Sequence, residues 1–317
     1  MGVYAERFPI YPLFYPYRED MHMKNKTKLT LTGYAFLAPA LLVFLTMVLM
    51  PVLISLGLAF TKWNFFSGFS KLKIVGLANF TRLFTADRSF KNALINTVVY
   101  AATTVPLTVF LSLIFAHIVN GRVYCQRFFR LAFFIPYISN MVALGAIFKF
   151  LFRSDGPINA ILVNWFHVSQ APNWLVSSSL CRIPIICVMV YSGIGFCLIV
   201  YIAALKGVSQ DLYEAASIDG ASPIRQFFSV TLPVISPTTF YLVIVRLINA
   251  FQVFAAINII ADGGKSAGNV SLVVLIYEEA FKKYNFGYAS AASWVLVAFI
   301  LLVTAANFSL QKKWVHY

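Results

Sequence analysis

The chain has 317 residues, of which 60% are hydrophobic and only 11% are charged, with a formal net charge of +14 and a mean hydropathy of +0.78. Soluble domains contain about 45–50% apolar and about 25% charged residues, so this composition excludes a water-soluble globular core. The charged residues fall between long apolar runs, which indicates a protein solvated by lipid.

Six apolar segments are long enough to cross a hydrocarbon layer, which takes about 20 helical residues. The predicted spans, one to six, are residues 34–60, 92–119, 131–152, 182–205, 238–260 and 288–310. Prolines within these runs predict kinks and do not change the count of spans, because neighbouring helices can satisfy the freed carbonyls. The prolines are Pro39, Pro51, Pro106, Pro136 and Pro184. The predicted fold class is therefore all-α, a multi-pass membrane protein with about six transmembrane helices.

Residues 1–32 are predicted to be an N-terminal tail without a cleaved signal sequence, because they lack a central apolar run. Met21 and Met23 precede the first span, so translation could start at either. The loop cations divide almost evenly between the two sides of the membrane. The short segment from Arg122 to Arg130 has no acidic residue, and its charge favours a cytoplasmic location for both termini, including the tail 311–317.

The loop between spans four and five, residues 206–237, is predicted to be folded. Ser209 can cap a short helix, Glu214 suits its early turns, and Gly220 can take the left-handed conformation that ends it. Ser222-Pro223 supplies a cap and a first-turn proline for a second helix, and Ser236-Pro237 is expected to repeat this at span five. An interfacial linker lying on lipid is the alternative.

The same loop resembles the EAA loop of binding-protein-dependent ABC importer permeases. The pattern is Glu-Ala-Ala, three residues, Gly, nine residues, an apolar residue, any residue and Leu-Pro. It is met by 214–216, Gly220, Val230 and Leu232-Pro233, with Val230 in place of the usual isoleucine. Further stretches resemble the sugar branch of the family, which is similar to the maltose and glycerol-phosphate systems. They are residues 75–80, 133–136, 219–221 and 287–291.

This resemblance implies a type I importer permease fold over residues 33–310, with the loop 206–237, hereafter the coupling loop, seated in a cleft of an ATPase subunit. It implies coupling residues Glu214, Ala215, Ala216, Asp219, Gly220, Leu232 and Pro233. The implied partners are a second permease subunit in a heterodimer, two ATP-binding subunits and an extracytoplasmic solute-binding protein. ATP and Mg would be used by the ATPases, so this chain is expected to be non-catalytic, without a cofactor and without nucleic acid.

Other classes of protein fit less well. An ion-coupled carrier usually needs carboxylates within the membrane, whereas all eleven acidic residues fall in predicted loops. The four cysteines and four histidines are dispersed without metal-ligand spacing, and no nucleophile–base constellation lies in the spans. The tripeptide Gly264-Lys265-Ser266 resembles the end of a phosphate-binding loop. Ile259 stands where that motif needs its first glycine, so no phosphate-binding loop is predicted.

The substrate path is predicted from polar residues inside the spans. Lys149 and Arg246 are the only charges well inside the predicted spans, and membrane cations usually face a cavity or a partner. The candidate path residues are Tyr137, Asn140, Lys149, Arg246, Asn249 and Gln252. Interhelical hydrogen bonding is the alternative, with Lys149 snorkelling outward. External loops of net positive charge, together with a resemblance to alginate-importer subunits, favour an acidic oligosaccharide as cargo; neutral sugars and glycerol-phosphate stay open.

Overall fold

A computed structural model describes residues 22–64, 66, 68, 72–121, 124–177, 180–262 and 268–315, with side chains from Thr30 onward. These residues belong to two compact units that divide between Ile54 and Ser55. Most of the predicted N-terminal tail, the tripeptide 264–266 and residues 316–317 lie outside the described residues.

The described chain is almost entirely helical. The α-helices are His22–Phe44, Met50–Ala59, Ala78–Thr85, Arg88–Asn120, Gln126–Ile138, Met141–Leu151, Pro157–Phe166, Arg182–Lys206, Gln210–Ile218, Pro223–Gln226, Leu232–Val234, Ser236–Phe251, Ala255–Ile260, Leu272–Tyr277 and Phe286–Gln311. Wider π-helical turns cover Leu45–Leu49, Phe227–Thr231 and Glu278–Lys282. The two strands, Thr61–Lys62 and Lys73–Ile74, form a short antiparallel pair in which Thr61 faces Ile74.

Within the described ranges, four helices are long and apolar enough to cross a membrane, and the number is six if each of two bent pairs is one span. The four are Thr30–Ala59, Arg88–Asn120, Arg182–Lys206 and Phe286–Gln311. The pairs are Gln126–Ile138 with Met141–Leu151, bent by 98°, and Pro223–Val234 with Ser236–Phe251, bent by 66°. The predicted all-α fold with about six spans is confirmed.

Span three is broken and not merely kinked. Helix Gln126–Ile138 ends two residues after Pro136, and Ser139 and Asn140 adopt extended conformations. The Asn140 side-chain oxygen accepts a hydrogen bond of 2.8 Å from the Val142 amide, so it caps a new helix in a new direction. Pro106, in contrast, lies inside an unbroken helix. Pro136 lies inside the first helix, and the bend that follows it is larger than a kink because Asn140 caps a new helix; the pair still counts as one of the six spans.

Span five is interrupted near its C-terminal end. The helix from Ser236 ends at Phe251, residues 252–254 form a break, and a short helix then covers Ala255–Ile260. The predicted run 238–260 therefore contains two helices and a turn.

Spans two and four pack along each other through small and polar residues. The Ser112 hydroxyl donates to Thr108 in its own helix at 2.6 Å and lies 3.3 Å from the carbonyl of Ile194 in span four. A Cβ at Gly195 would lie 2.3 Å from the carbonyl oxygen of Phe133, so this glycine lets the first half of span three approach span four closely. Small side chains of this kind are typical of helix contacts in membranes.

Candidate functional site

A polar cavity of about 430 Å³ lies between spans three, four and five. Its lining residues are Tyr137, Ser139, Met141, Met189, Ser192, Arg246, Asn249, Gln252, Val253, Phe254, Ala255 and Ala256. Four of the six candidate path residues are thus brought together: Tyr137, Arg246, Asn249 and Gln252. The three from span five recur every third residue, which places them along one side of the helix and its terminal turn.

Arg246 carries a charge that has no counterion within the described part of the chain. Its Nη2 donates a hydrogen bond of 3.4 Å to the carbonyl of Met189, and its buried Nε has no hydrogen-bond partner there. No ion pair among the described residues includes Arg246. A cation in a poorly hydrated site is costly unless it is paired, so the guanidinium is suited to attract an anion into the cavity.

Gly193 of span four makes room for that guanidinium. A Cβ at this position would lie 2.3 Å from Arg246 Nη2 and 2.7 Å from Arg246 Cζ, closer than van der Waals contact permits. The wall opposite Arg246 is therefore shaped by the absence of a side chain. Tyr137 forms another part of the lining, and its ring stacks on Phe196 with centroids 5.5 Å apart.

Two candidate path residues lie outside this lining. Lys149, in the last turn of helix Met141–Leu151, forms an ion pair of 2.5 Å with Asp262, and both side chains are partly exposed. Asn140 uses its side-chain oxygen to cap that same helix. Neither residue lines the cavity with Arg246.

Sequence reasoning missed Ser139, Ser192, Met141 and Met189 in the lining. Ser192 had a usable signal, since it is a polar residue within an apolar span beside Gly193. The two methionines had none, because apolar residues on spans are equally consistent with helix packing.

The coupling loop folds largely as expected from its caps. The Ser209 hydroxyl accepts a hydrogen bond from the Asp211 amide at 3.3 Å and begins the helix Gln210–Ile218. Gly220 has a φ of +74°, the left-handed conformation predicted for the end of that helix. The Ser222 hydroxyl accepts from the Arg225 amide at 3.4 Å, with Pro223 in the first turn.

Ser236 does not act as the expected third cap. It is the first residue of its helix, and its hydroxyl donates to the Pro233 carbonyl at 2.6 Å, whereas Ile235 occupies the cap position. The chain enters this helix from the preceding helical segment Pro223–Val234, and the hydroxyl stabilises the bend between them instead of the free amides.

Side-chain hydrogen bonds join the two helical parts of the coupling loop. The hydroxyls of Tyr213 and Thr231 lie 2.8 Å apart, and Gln226 Nε2 donates to the Ser217 hydroxyl at 2.9 Å. The Phe227 ring then meets His117, at the end of span two, edge to face at 5.0 Å. The loop is therefore a folded unit in contact with the transmembrane helices.

The predicted coupling residues are distributed over the outer surface of this unit. Glu214, Ala215, Asp219, Gly220 and Leu232 are exposed, and Ala216 and Pro233 are half-buried. The loop also exposes apolar side chains, with Ile218 at 87% and Ile224 at 74% exposure. Exposed apolar groups beside small alanines are typical of a protein–protein contact.

The helices and the two bent pairs define a multi-pass membrane protein. Residues 83–315 match the family model described as the binding-protein-dependent transport system inner membrane component. A relative from Bacillus subtilis, the probable ABC transporter permease protein YesP, is 32% identical over 90% of this chain and 92% of its own length. The chain belongs to this family of ABC importer permeases and is a non-catalytic membrane component of such a transporter.

Two further similarities concern carbohydrate transporters. The lactose transport system permease protein LacF of Rhizobium radiobacter is 29% identical over 89% of this chain and 94% of its own length. A chain in the crystal structure of a bacterial ABC transporter involved in the import of the acidic polysaccharide alginate superposes with a TM-score of 0.77. It is 23% identical, over 92% of this chain and 98% of that chain, and this likeness establishes the fold.

Proposed function

We propose that this chain imports saccharides as one permease of a heterodimeric, ATP-driven importer, and that its cargo is an acidic oligosaccharide such as an alginate fragment. The similarity to the lactose permease LacF and to a chain of the alginate transporter supports a saccharide as the cargo. The observation that carries the proposed acidity is the guanidinium of Arg246 in the cavity, which has no counterion among the described residues.

The chemistry of the lining suits a charged sugar. A uronate carboxylate can accept charge-assisted hydrogen bonds from Arg246, which are about twice as strong as those between neutral groups. The amides of Asn249 and Gln252 can exchange hydrogen bonds with sugar hydroxyls, and the Tyr137 ring offers an apolar face. The cation is the element that distinguishes this site from one for neutral sugars.

A neutral oligosaccharide is the second candidate cargo. It is favoured by the uncharged remainder of the polar lining, from Tyr137, Ser192, Asn249 and Gln252, and by the similarity to LacF. In that case Arg246 would serve helix packing through its bond to Met189.

Replacement of Arg246 distinguishes the two cargoes. In vesicles containing the complete importer, Arg246→Gln should reduce uptake of a uronate oligosaccharide by about tenfold or more, and that of a neutral oligosaccharide of equal length much less, since it removes a charge in a poorly hydrated site. Lys149→Gln is the matched control, because Lys149 already has Asp262 as its partner. Equal losses for both cargoes, at normal protein level and basal ATPase activity, would contradict the acidic-cargo proposal.

We further propose that the coupling loop lies in the cytoplasm and docks on an ATPase subunit through Glu214, Ala215, Ala216, Asp219, Gly220, Leu232 and Pro233. Both termini then lie in the cytoplasm, and residues 33–310 form the permease domain. The internal hydrogen bonds of the loop support this role, because a folded loop transmits rigid-body movement better than a flexible one. A second ATPase and an extracytoplasmic binding protein complete the proposed assembly.

Charge reversal tests the docking. Glu214→Lys should reduce co-purification of the ATPase with this subunit, whereas Asp155→Lys, a similar change at another exposed carboxylate, should leave it unchanged. Normal ATPase recovery with Glu214→Lys would count against a contact at Glu214.

A further inference from the structure

Residues 268–271, between the broken span five and the helix Leu272–Tyr277, are held to spans two and four by side chains. Arg182 of span four donates from Nε to the Gly268 carbonyl at 2.8 Å and from Nη2 to the Asn96 side-chain oxygen at 2.7 Å. Asn96, on span two, donates in turn to the Val270 carbonyl at 2.8 Å. One bridge between two spans therefore satisfies two backbone carbonyls of this segment.

Two more contacts from span two fix the same segment. The Tyr100 hydroxyl donates to the Asn269 carbonyl at 3.3 Å, and the Thr97 hydroxyl accepts from the Leu272 amide at 2.9 Å. Asn269, Leu272, Thr97 and Tyr100 are all buried. Buried backbone groups outside regular structure need such partners, so the position of the segment depends on these side chains.

Ser271 connects the segment to the cavity. Its hydroxyl donates to the Val253 carbonyl at 2.8 Å and accepts from the Val274 amide at 3.3 Å, which caps the following helix. Val253 lies in the break of span five, between the cavity-lining residues Gln252 and Phe254. The break interrupts the helix, so this wall of the cavity depends on partners outside its own helix.

We propose that residues 268–271 act as a strut that fixes the cavity wall at residues 252–254. Ser271 is the positioning residue at the wall, and Arg182 and Asn96 anchor the strut to spans four and two. Because spans two and four both hold the strut, a movement of one span relative to the other shifts the cavity wall. Its effect on cargo recognition rests on the proposed function of the cavity.

A thiol on the wall tests the strut without reference to the cargo. In the reconstituted importer, Gln252→Cys is labelled with a hydrophilic methanethiosulfonate, and labelling is measured as the excess over the chain with its four native cysteines. Adding Ser271→Ala should change the labelling rate by about threefold to tenfold. This is the factor that corresponds to the net free energy of one hydrogen bond. Ser271→Thr, which keeps the hydroxyl, should restore the rate.

Ser293→Ala is the matched control, because among the residues that the structure describes the Ser293 hydroxyl bonds only to the Ala289 carbonyl of its own helix. It should leave the rate unchanged. Asn96→Ala, which removes the anchor, provides a second variant in case Ser271→Ala fails to accumulate, and it should shift the rate in the same direction. Unchanged labelling in the variants that reach normal protein level would overturn the strut.

Uptake of a uronate oligosaccharide by the Ser271→Ala importer that keeps Gln252, measured in parallel vesicles, separates this inference from the function of the cavity. Altered labelling with reduced uptake supports both. Altered labelling with normal uptake supports the strut and removes the cavity from the cargo path.

Discussion

The coupling loop and the cavity differ in how far apart along the chain their contacts lie. The hydrogen bond between Tyr213 and Thr231 joins parts of the loop 18 residues apart, whereas the bond from Arg246 to Met189 in the cavity joins residues 57 apart. Caps and turns determine the loop locally, and the packing of separate spans determines the cavity. A variant in the loop should therefore act on coupling, and a variant in the cavity on recognition.

The largest effect is expected at Gly220. Proline fixes φ at about −65°, whereas Gly220 has a φ of +74°. Gly220→Pro should therefore disrupt the end of the helix Gln210–Ile218 and reduce uptake by more than about tenfold. Uptake and ATPase activity in vesicles measure this. Gly220→Asn is the control, because asparagine tolerates the left-handed region. Normal uptake by Gly220→Pro, with normal membrane insertion, would refute the role of the loop.

A smaller effect is expected at Gly193, where the cavity is tested in the same way. The new methyl group of Gly193→Ala would overlap the Arg246 guanidinium, and such overpacking costs about 1–3 kcal/mol. Uptake of a uronate oligosaccharide should fall more than that of a neutral one, because the displaced charge no longer faces the cavity. Gly57→Ala is the control, since its Cβ would meet no atom of the described residues within 4 Å. Uptake of both cargoes at the wild-type level would show that the cavity wall accommodates the new methyl group, and would contradict the prediction.

Removal of the Tyr213 hydroxyl tests the internal stiffness of the loop. Tyr213→Phe and Thr231→Val each remove one partner of the 2.8 Å bond. The bond contributes about 1 kcal/mol, so either variant should weaken cargo-stimulated ATPase activity severalfold without changing insertion. A double-mutant cycle isolates the pair. Strictly additive effects would mean that this bond does not couple the two helices.

The smallest effect concerns Asp87, which caps span two through the amides of Ser89 and Phe90 and accepts a hydrogen bond from Tyr288. Burial raises the pKa of Asp87, but the bonds from Tyr288 and the two amides, with the charge of Arg82, outweigh it and hold the pKa below its usual value. Because the folded-state pKa is depressed, the stabilisation is present at neutral pH and is lost as pH falls below about 4.

Asp87→Asn should therefore lower the thermal unfolding midpoint at pH 7. The corresponding loss in the free energy of unfolding is about 1 kcal/mol or less, since asparagine still caps well. The difference from wild type should persist down to about pH 4 and shrink as the pH falls below that value. A difference that is constant with pH would mean that the carboxylate charge contributes nothing.

The features predicted correctly from the sequence are those with local causes. Ser209, Gly220 and Ser222 carry their structural signal in their own residue type and immediate neighbours. The spans were recognisable from composition alone. The recurrence of Arg246, Asn249 and Gln252 every third residue predicted a shared polar side, because helical geometry relates these positions directly.

The features that sequence reasoning missed depend on tertiary packing. Lys149 pairs with Asp262, 113 residues away, and no feature of the sequence indicated this partner. The break after Ser139 depends on Asn140 capping a new helix, a signal that an apolar run of suitable length concealed. Gly193 had no signal at all, because its role is to leave space for a side chain of another span.

The exposed isoleucines of the coupling loop have a consequence for the cell before any transport occurs. If the loop docks on an ATPase as proposed, a subunit made without that partner would present Ile218, Ile224 and the exposed Phe228 ring to water. Such surfaces are recognised by chaperones and proteases or lead to aggregation. We therefore expect the lifetime of newly made chains to follow the supply of ATPase, so that unassembled subunits are removed and the components stay in balance.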